Sequence, residues 1–388
     1  MRVVFMGTPE IAATILKSVL GSKHEILAVV TQPDKPKGRS QTTLTFPPVK
    51  EVALEHNIPV FQPQKVKEEG FLEEVKKLNP DIILVAAYGK LLPKVLLDMP
   101  RFGCINVHAS LLPKYRGASP IQWAVLNGEE KSGVTIMHMA EGLDTGDIIL
   151  TQEVTLSKEE TAGSLHDKLA EIGGPLLLSA MDAIETGRAP RIHQKEEEAT
   201  HVKMLDKAMG NLNFSKSATE LERFVRGLNP WPTAYTKLHG KMLKIWKAEV
   251  VENNLSKEQR QQEFGTIVTI EKDSFGILTG EGILVVKEKD TMTDSISSSI
   301  FKEICKKAKV PFQDSASRND LSTGSTLSGL SIRHVSTDSI DVGIPQLAMH
   351  SARELIGSDD LFYLYNAFKK FYDISIKWKQ NTIEIIDK

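Results

Sequence analysis

Three side chains in the first half of the sequence have chemistry that could act together on one carbonyl group. Asn106 and His108 lie two residues apart in the segment Asn-Val-His, and Asp144 follows in Leu-Asp-Thr-Gly-Asp. They supply an amide, an imidazole and a carboxylate. This set suits the transfer of an acyl group to an amine, because that reaction develops negative charge on oxygen and positive charge on nitrogen.

Each of the three groups has a predicted role in such a transfer. The Asn106 side-chain amide can donate a hydrogen bond to the developing oxyanion. His108 can accept the ammonium proton and pass it to the leaving nitrogen. Asp144 can hold the imidazole in one tautomer and stabilise its charged form. No Ser or Cys occupies a nucleophile position beside them, so the sequence predicts direct transfer without an acyl-enzyme.

The elements that must position these residues alternate between strand and helix. The predicted strands cover 2–6, 25–31, 81–87 and 103–107, and the predicted helices include one that starts at Thr8-Pro9-Glu10, with Thr8 as cap, and one over 49–56. This alternation predicts an α/β fold with a Rossmann-like parallel sheet. Ligands of such sheets bind at the carboxyl ends of the strands. The loop after the first strand has only Gly7 and lacks Gly-x-Gly-x-x-Gly, which argues against a nicotinamide enzyme.

Several further motifs carry a family resemblance. The chain resembles the 10-formyltetrahydrofolate-dependent formyltransferases, and among them the methionyl-tRNA formyltransferases, over roughly residues 1–288. The matching segments, in order, are Met6-Gly7-Thr8-Pro9-Glu10, Thr31-Gln32-Pro33-Asp34, Ala86-Ala87-Tyr88-Gly89-Lys90-Leu91-Leu92-Pro93, Ser110-Leu111-Leu112-Pro113-Lys114-Tyr115-Arg116-Gly117 and Leu228-Asn229-Pro230-Trp231-Pro232. The resemblance implies that Asn106, His108 and Asp144 act at the formyl group.

The same resemblance implies the substrates. The formyl donor would be 10-formyltetrahydrofolate, the acceptor would be initiator methionyl-tRNA, and no metal would be required for the transfer. The implied folate-binding residues are Ala87, Tyr88, Gly89, Leu91, Leu92, Ser110, Leu111, Leu112 and Pro113. A basic loop with Lys35, Lys37 and Arg39, close in sequence to Lys50 and without acidic residues, is expected to be mobile and to contact tRNA phosphates.

Composition divides the chain into four predicted parts. Residues 1–188 form the formyltransferase catalytic domain, and 189–206, which mix proline, histidine and the acidic run 196–198, form an interdomain linker. Residues 207–288, with a helix at 218–227, are predicted to form a small β-barrel, which by the family resemblance would be OB-like and contact tRNA. The barrel strands are expected at 234–238, 243–250, 265–271 and 275–279. Lys237, Lys241, Lys244 and Lys247 could contact phosphates there. A final barrel strand is missing, so the barrel is expected to be truncated.

The last part, 289–388, does not continue the formyltransferase pattern. Over roughly 295–373 it resembles the C-terminal end of the zinc aminopeptidases of the aspartyl aminopeptidase family, especially in Asp341 to Ser351. That resemblance implies that His350 corresponds to a zinc ligand. Because catalytic zinc needs about three protein ligands, we interpret His350 as an orphan ligand position and expect no functional zinc. The segment is expected to be α/β, with a strand at 339–342 and helices at 347–356 and 361–372.

Composition sets wider limits on the function. The chain has 388 residues, a net charge of −2 and a pI of about 6.6, so any RNA contact must come from local basic patches. Cys104 and Cys305 are far apart and are expected to be reduced. No signal peptide and no apolar run of the ~18 residues needed to span a bilayer are found, which predicts a cytoplasmic protein. The sequence predicts no oligomeric state.

Three classes of function remain open from the sequence. The first is formyl transfer to methionyl-tRNA, with a related transfer to a small amine such as a sugar nucleotide as its nearest variant. The second is a zinc aminopeptidase. The third is an inactive RNA-binding fusion whose barrel no longer presents the substrate. A gene fusion or a truncated hybrid would give the observed order of segments.

Overall fold

The computed structural model describes the chain as two compact units, Met1–Lys287 and Glu288–Lys388. The described residues are 1–37, 43–238, 240–251, 261–271, 274–287, 304–310, 346–347, 355–356, 360–379 and 382–387. Within these ranges, no helix has both the length and the apolar composition needed to cross a membrane.

A seven-stranded sheet forms the centre of the first unit. The first strands in chain order are β1 (Arg2–Gly7), β2 (Glu25–Val30), β3 (Lys35–Lys37), β4 (Thr43–Thr45), β5 (Val60–Phe61), β6 (Ile82–Ala86), β7 (Cys104–His108), β8 (Arg116–Gly117), β9 (Lys131–His138), β10 (Ile148–Thr155) and β11 (His201–Val202). The sheet order is β10-β9-β7-β6-β1-β2-β5. Strands β1, β2, β5, β6 and β7 are parallel, which confirms the predicted parallel sheet. β9 and β10 extend it in antiparallel fashion.

Helices cover both faces of this sheet. The described helices of the first unit are α1 (Glu10–Leu20), α2 (Pro48–Glu55), α3 (Glu69–Leu78), α4 (Lys94–Leu97), α5 (Pro120–Leu126), α6 (Ala162–Glu185) and α7 (Ala218–Gly227). Successive strand residues point to opposite faces. Thus Val3 and Phe5 pack with α1, α2, α5 and α6, whereas Val4 and Met6 pack with α3 and α4. Because both faces are buried, β1 is apolar at almost every position, as a central parallel strand should be.

The start of α1 differs from the prediction in one detail. Its N-cap is Pro9, and no side chain caps it. The Thr8 hydroxyl instead accepts a hydrogen bond from the Gln32 backbone N–H at 3.4 Å. The predicted hydroxyl cap is therefore wrong, since that oxygen connects the turn after β1 to the segment after β2. Glu10 does lie in the first turn, where its charge favours the positive end of the helix dipole.

The segment predicted as a linker lies against the catalytic domain for much of its length. Ile192 pairs with Ile148 at the start of β10, and β11 pairs in parallel with β8. Between them, Glu196–Glu198 forms one 3₁₀ turn. This backbone pairing places residues 192–202 beside the loops that follow β7 and β9. The boundaries of the linker stay a prediction.

Short strands follow α7, as the sequence predicted. They are β12 (Ala234–Leu238), β13 (Lys241–Ile245), β14 (Ala248–Val251), β15 (Ile267–Ile270), β16 (Ser274–Leu278) and β17 (Ile283–Lys287). The single strand predicted at 243–250 is two strands, β13 and β14. The described strands form the hairpin β12-β13 and the sheet β14-β17-β16-β15. α7 packs on this sheet through Leu221 and Val225. Closure into an OB-like barrel stays a prediction.

The second unit combines short strands with one long helix. α8 (Asp360–Tyr372) confirms the helix predicted at 361–372. The helix predicted at 347–356 is wrong at both ends, because β18 (Gln346–Leu347) pairs with β19 (Leu355–Ile356). The residues here include strong helix formers, so pairing between the two ends overrides a local helical preference. A hairpin of β20 (Ile374–Lys379) and β21 (Thr382–Asp387) follows. The strand predicted at 339–342 lies outside the described residues.

Candidate active site

Strand β7 carries two of the three predicted catalytic side chains on the same face. Ile105 and Val107 pack in the core shared with α1 and α6, so the alternating residues Cys104, Asn106 and His108 point to the other face. Asn106 is 8% exposed and His108 is 6% exposed. His108 is the last residue of the strand. The amide and the imidazole are therefore neighbours at the carboxyl edge of the sheet, where the sequence placed the site.

The His108 ring is held by the loop that follows β7. Its Nε2 lies 2.9 Å from the backbone oxygen of Tyr115. A carbonyl oxygen can only accept a hydrogen bond, so Nε2 carries the proton in the neutral ring and Nδ1 is the basic nitrogen. From the sequence, Asp144 is the residue expected to hold the imidazole in one tautomer. In the structure, Tyr115 provides the hydrogen bond that sets it.

Asp144 faces the basic nitrogen of His108. It lies in the loop between β9 and β10 with a left-handed φ of 52°, a conformation that Asp tolerates better than most residues. Its Oδ2 accepts a hydrogen bond from the Gly117 backbone N–H at 2.8 Å and lies 3.7 Å from His108 Nδ1. That distance is too long for a hydrogen bond. It is short enough for the carboxylate to stabilise a protonated ring electrostatically.

The loop predicted to contact the folate follows β6, the neighbour of β7. Ala87, Gly89 and Leu91 are exposed, with Leu91 at 68%, whereas Tyr88 and Leu92 are buried in the core. Burial raises the pKa of Tyr88 to about 12. The structure thus separates the predicted folate residues into three that face solvent and two that anchor the loop.

The other predicted folate segment, Ser110–Pro113, is mostly buried. The Ser110 hydroxyl donates to the backbone oxygen of Lys114 at 2.7 Å, and the Leu112 backbone N–H donates to Thr135 Oγ1 at 3.1 Å. Leu112 also packs with Met137 and Ile148. Leu111 and Pro113 keep part of their surface exposed. Ser110 and Leu112 therefore shape the turn, and Leu111 and Pro113 are the members that a ligand could reach.

The predicted basic loop is partly a β-hairpin. Lys35 pairs with Thr45 and Lys37 with Thr43, while Arg39 lies outside the described residues. Lys50, which is close to this loop in sequence, is not a free cation. Its ammonium donates to Asp34 Oδ2 at 2.6 Å and to Gln62 Oε1 at 2.9 Å. Although partial burial opposes ionisation of Asp34, the hydrogen bonds from Lys50 and Gln62 lower its pKa. Lys50 is therefore committed to an internal ion pair, whereas Lys35 is exposed.

Cys104 has no place in this chemistry. Cys104 is 2% exposed, its thiol contacts the backbone oxygen of Leu96, and burial raises its pKa to about 12. It is a packing residue rather than a nucleophile. His350, the orphan zinc-ligand position, lies outside the described residues. Across the parts of the chain that are described, no three His, Cys, Asp or Glu side chains cluster in a way that could hold a metal ion.

The sequence reasoning missed the residues that hold the site together. Tyr115 and Arg116 belong to a motif that it quoted, but it gave them no role. Gln194 and Thr200 lie in the stretch interpreted as a linker, where composition carries no signal of burial. Gln194 is nevertheless 3% exposed and contacts the Asp144 loop.

Comparison with known proteins identifies the family. The family model described as "Formyl transferase" matches residues 1–181, and "Formyl transferase, C-terminal domain" matches 204–297. The methionyl-tRNA formyltransferase of Lachnospira eligens is 53% identical over 288 residues, which are 74% of this chain and 91% of that protein. The chain belongs to the methionyl-tRNA formyltransferase family. A relative from Clostridioides difficile, also a methionyl-tRNA formyltransferase, is 50% identical with the same coverage.

Solved structures agree with the fold of the family. A sugar 3N-formyl transferase crystallised with dTDP and 5-N-formyl-THF superposes with a TM-score of 0.54 at 18% identity, covering 75% of this chain and 98% of that one. An N-formyltransferase from Helicobacter canadensis gives a TM-score of 0.56 at 19% identity, covering 74% and 98%. At these identities the likeness concerns the fold alone.

A second family model matches the end of the chain. The model described as "Aminopeptidase I zinc metalloprotease (M18)" covers residues 271–372. The predicted resemblance of the C-terminal segment to zinc aminopeptidases is therefore confirmed. The two matches overlap at 271–297, which includes strands β16 and β17 of the formyltransferase unit.

Proposed function

We propose that this protein transfers the formyl group of 10-formyltetrahydrofolate to the amino group of initiator methionyl-tRNA. The observation that carries the proposal is the 53% identity, over 288 residues, to a methionyl-tRNA formyltransferase. The arrangement of Asn106, His108 and Asp144 supports it, because that set of groups suits acyl transfer to an amine. A cytoplasmic location stays a prediction.

The proposed reaction begins with attack of the substrate amine on the formyl carbon. The Asn106 amide donates to the oxyanion that forms, and this preorganised donor lowers the energy of the tetrahedral species. Because Asn106 lies in a strand at the centre of the sheet, its amide needs little reorganisation when charge develops. The C–N bond to the folate then breaks, and the formyl group remains on the amine.

His108 moves the proton in this scheme. His108 Nε2 donates a hydrogen bond to the Tyr115 backbone oxygen at 2.9 Å. Nδ1 is therefore the nitrogen that accepts the ammonium proton and returns it to the leaving folate nitrogen. Asp144 Oδ2, at 3.7 Å from Nδ1, stabilises the imidazolium between these two steps. The proton balance closes, since one proton leaves the attacking amine and one reaches the folate.

The exposed residues of two loops fit the two substrates. Ala87, Gly89 and Leu91 offer backbone and apolar surface beside the carboxyl end of β7, which suits a flat folate ring. Lys35 and Lys37, with Arg39 in the same segment, would contact phosphates of the tRNA, and the lysines near β12 and β13 would add further contacts. These assignments follow from the family and from exposure.

Three alternatives are separated by formylation, zinc and aminopeptidase measurements on the purified protein. Purified protein is given 10-formyltetrahydrofolate with methionyl-tRNA, or with an aminosugar nucleotide in its place, and the formylated product is measured by mass spectrometry. Product from methionyl-tRNA alone supports the proposal. Product from the sugar amine alone would contradict it. So would the absence of formyl product, which indicates an aminopeptidase if zinc is stoichiometric and aminopeptidase activity is found, and an inactive fusion otherwise.

A further inference from the structure

The Gln194 side chain connects two segments of the site that are far apart in sequence. Its Nε2 donates to the backbone oxygen of Asp144 at 2.9 Å and to that of Gly146 at 2.7 Å. Its Oε1 accepts from Arg116 Nε at 3.1 Å and Nη2 at 2.9 Å. The Nε2 end thus donates to two backbone oxygens and the Oε1 end accepts twice from Arg116, and only one orientation of the amide satisfies all four of these hydrogen bonds.

Arg116 fixes the orientation of the Gln194 amide. Its side chain is 1% exposed, so its charge requires acceptors. Glu196 provides two of them, with Oε2 at 2.9 Å from Nη1 and Oε1 at 2.9 Å from Nη2. With its guanidinium held by this paired contact, Arg116 presents Nε and Nη2 to the Gln194 oxygen.

Strand β8, which contains Arg116, also contacts the Asp144 carboxylate directly. The backbone N–H of Gly117, the residue after Arg116, donates to Asp144 Oδ2 at 2.8 Å. Arg116 itself is fixed by its backbone N–H, which donates to the Thr200 oxygen at 2.8 Å. The Asp144 loop is therefore held by its carboxylate from β8 and by its main chain from Gln194.

We propose that Gln194 is a positioning residue for Asp144, with Arg116 and Glu196 fixing its amide. It touches neither the proposed reacting atoms nor His108, so it acts by keeping the Asp144 carboxylate near His108 Nδ1. This role rests on the function proposed above for Asp144. If Gln194 has this role, residues 194–202 of the predicted linker support the active site and do more than connect two domains.

Two substitutions of Gln194 distinguish its role in positioning the Asp144 loop from its role as a hydrogen-bond acceptor for the buried Arg116. Gln194→Met removes all four hydrogen bonds. Gln194→Glu keeps an acceptor for Arg116 but turns a carboxylate oxygen toward the two loop carbonyls, which repel it. If Gln194 only satisfied Arg116, Gln194→Glu would behave like the wild type. If it positions the loop, both variants lose activity. Gln152→Met, at an exposed site in β10, is the matched control.

The first measurement is steady-state formylation of methionyl-tRNA. For Gln194→Glu and Gln194→Met we expect kcat to fall by up to about 10²-fold, because small displacements of a catalytic group cost that much. Neither KM should change as much as kcat. In the Asp144→Asn background, Gln194→Glu should add little further loss, since the group it positions is already neutral. A kcat within about twofold of wild type for Gln194→Glu, or full additivity with Asp144→Asn, would overturn the inference.

The second measurement does not depend on activity. Amide hydrogen exchange followed by mass spectrometry should accelerate in residues 139–147 of both Gln194 variants and remain unchanged in Gln152→Met. Unaltered exchange in that loop would also overturn the inference. If the wild type shows no formylation while the loop exchanges faster in the variants, the proposed function fails and the structural role of Gln194 stands.

Discussion

Strand β7 and the loop that carries Asp144 support the proposed reaction in different ways. Asn106 and His108 lie in a strand bonded to β6 on one side and β9 on the other. Asp144 lies between two strands with a left-handed backbone, held by contacts from Gly117 and Gln194. The strand fixes its side chains through the sheet itself, whereas the loop depends on residues 27 or more positions away in sequence.

This difference predicts two kinds of damage. A substitution on β7 should remove a chemical group and leave the backbone of the site in place. A substitution in or under the Asp144 loop should leave every chemical group present and move one of them. The largest losses of kcat are therefore expected for substitutions on β7.

Removal of the imidazole should have the largest effect. For His108→Ala we expect kcat to fall by about 10²- to 10⁴-fold, the usual contribution of general acid–base catalysis. Formylation of methionyl-tRNA under saturating substrates measures it. His166→Ala, which removes an imidazole from the outer helix α6, is the control and should keep the wild-type rate. Equal activity in His108→Ala would refute the proposed proton transfer.

Removal of the oxyanion donor should be nearly as severe. Asn106→Ala is expected to lower kcat on the order of 10²- to 10³-fold, as does the loss of a single oxyanion-hole donor. Asn106→Asp keeps the shape but replaces the donor by an acceptor, so it should be no better. Single-turnover rates with bound substrates measure the chemical step. If Asn106→Asp retained most of the wild-type rate, the amide would not be the oxyanion donor.

A backbone change in the loop should move Asp144 without removing any catalytic group. A Cβ added at Gly146 would lie 1.7 Å from the His138 backbone oxygen, so Gly146→Ala must displace the loop. We expect kcat to fall by up to about 10²-fold. Gly142→Ala is the control, because the atoms nearest to its Cβ belong to the Thr145 side chain, which can rotate. A wild-type rate for Gly146→Ala would show that the loop tolerates displacement.

The hairpin of β3 and β4 is expected to affect binding rather than chemistry. Lys35→Ala should weaken tRNA binding and lower the slope of log affinity against log salt by about 1, the value for one lost phosphate contact. The rate at saturating tRNA should not change. Filter binding at several salt concentrations measures the slope, with Lys131→Ala at the exposed start of β9 as control. A slope equal to that of the control would exclude a phosphate contact at Lys35.

The smallest effect is expected in the loop after β6. The Tyr88 hydroxyl is buried and has no hydrogen-bond partner among the described residues, so Tyr88→Phe removes an unpaired group. We expect an unchanged or higher melting temperature, since such a group costs about 1–3 kcal/mol. Tyr115→Phe should be destabilising, because its hydroxyl bonds to Glu129 and Asn127. A comparable fall in melting temperature for both variants would indicate that Tyr88 has a partner.

Much of the first unit could be predicted because its signals are local. Continuous apolar runs marked β1, β2, β6 and β7, and Ser217 with Glu220 forms the capping box that starts α7. The antiparallel strands β9 and β10 and the pairing of β18 with β19 were not predicted. Those features depend on which strands meet, and local composition does not encode that choice.

The sequence by itself determined that Asn106 and His108 lie at the carboxyl end of a strand and that an aspartate follows in a glycine-containing loop. Its motifs also determined the family, and they marked the change to an aminopeptidase-like segment after residue 288. Only the tertiary structure decided that Tyr115 sets the His108 tautomer and that Gln194 and Arg116 hold the Asp144 loop. Periodicity and motif spacing describe neighbours along the chain. Gln194 is 50 positions from Asp144 and 78 positions from Arg116, so its hydrogen bonds to them form only once the fold has brought those segments together.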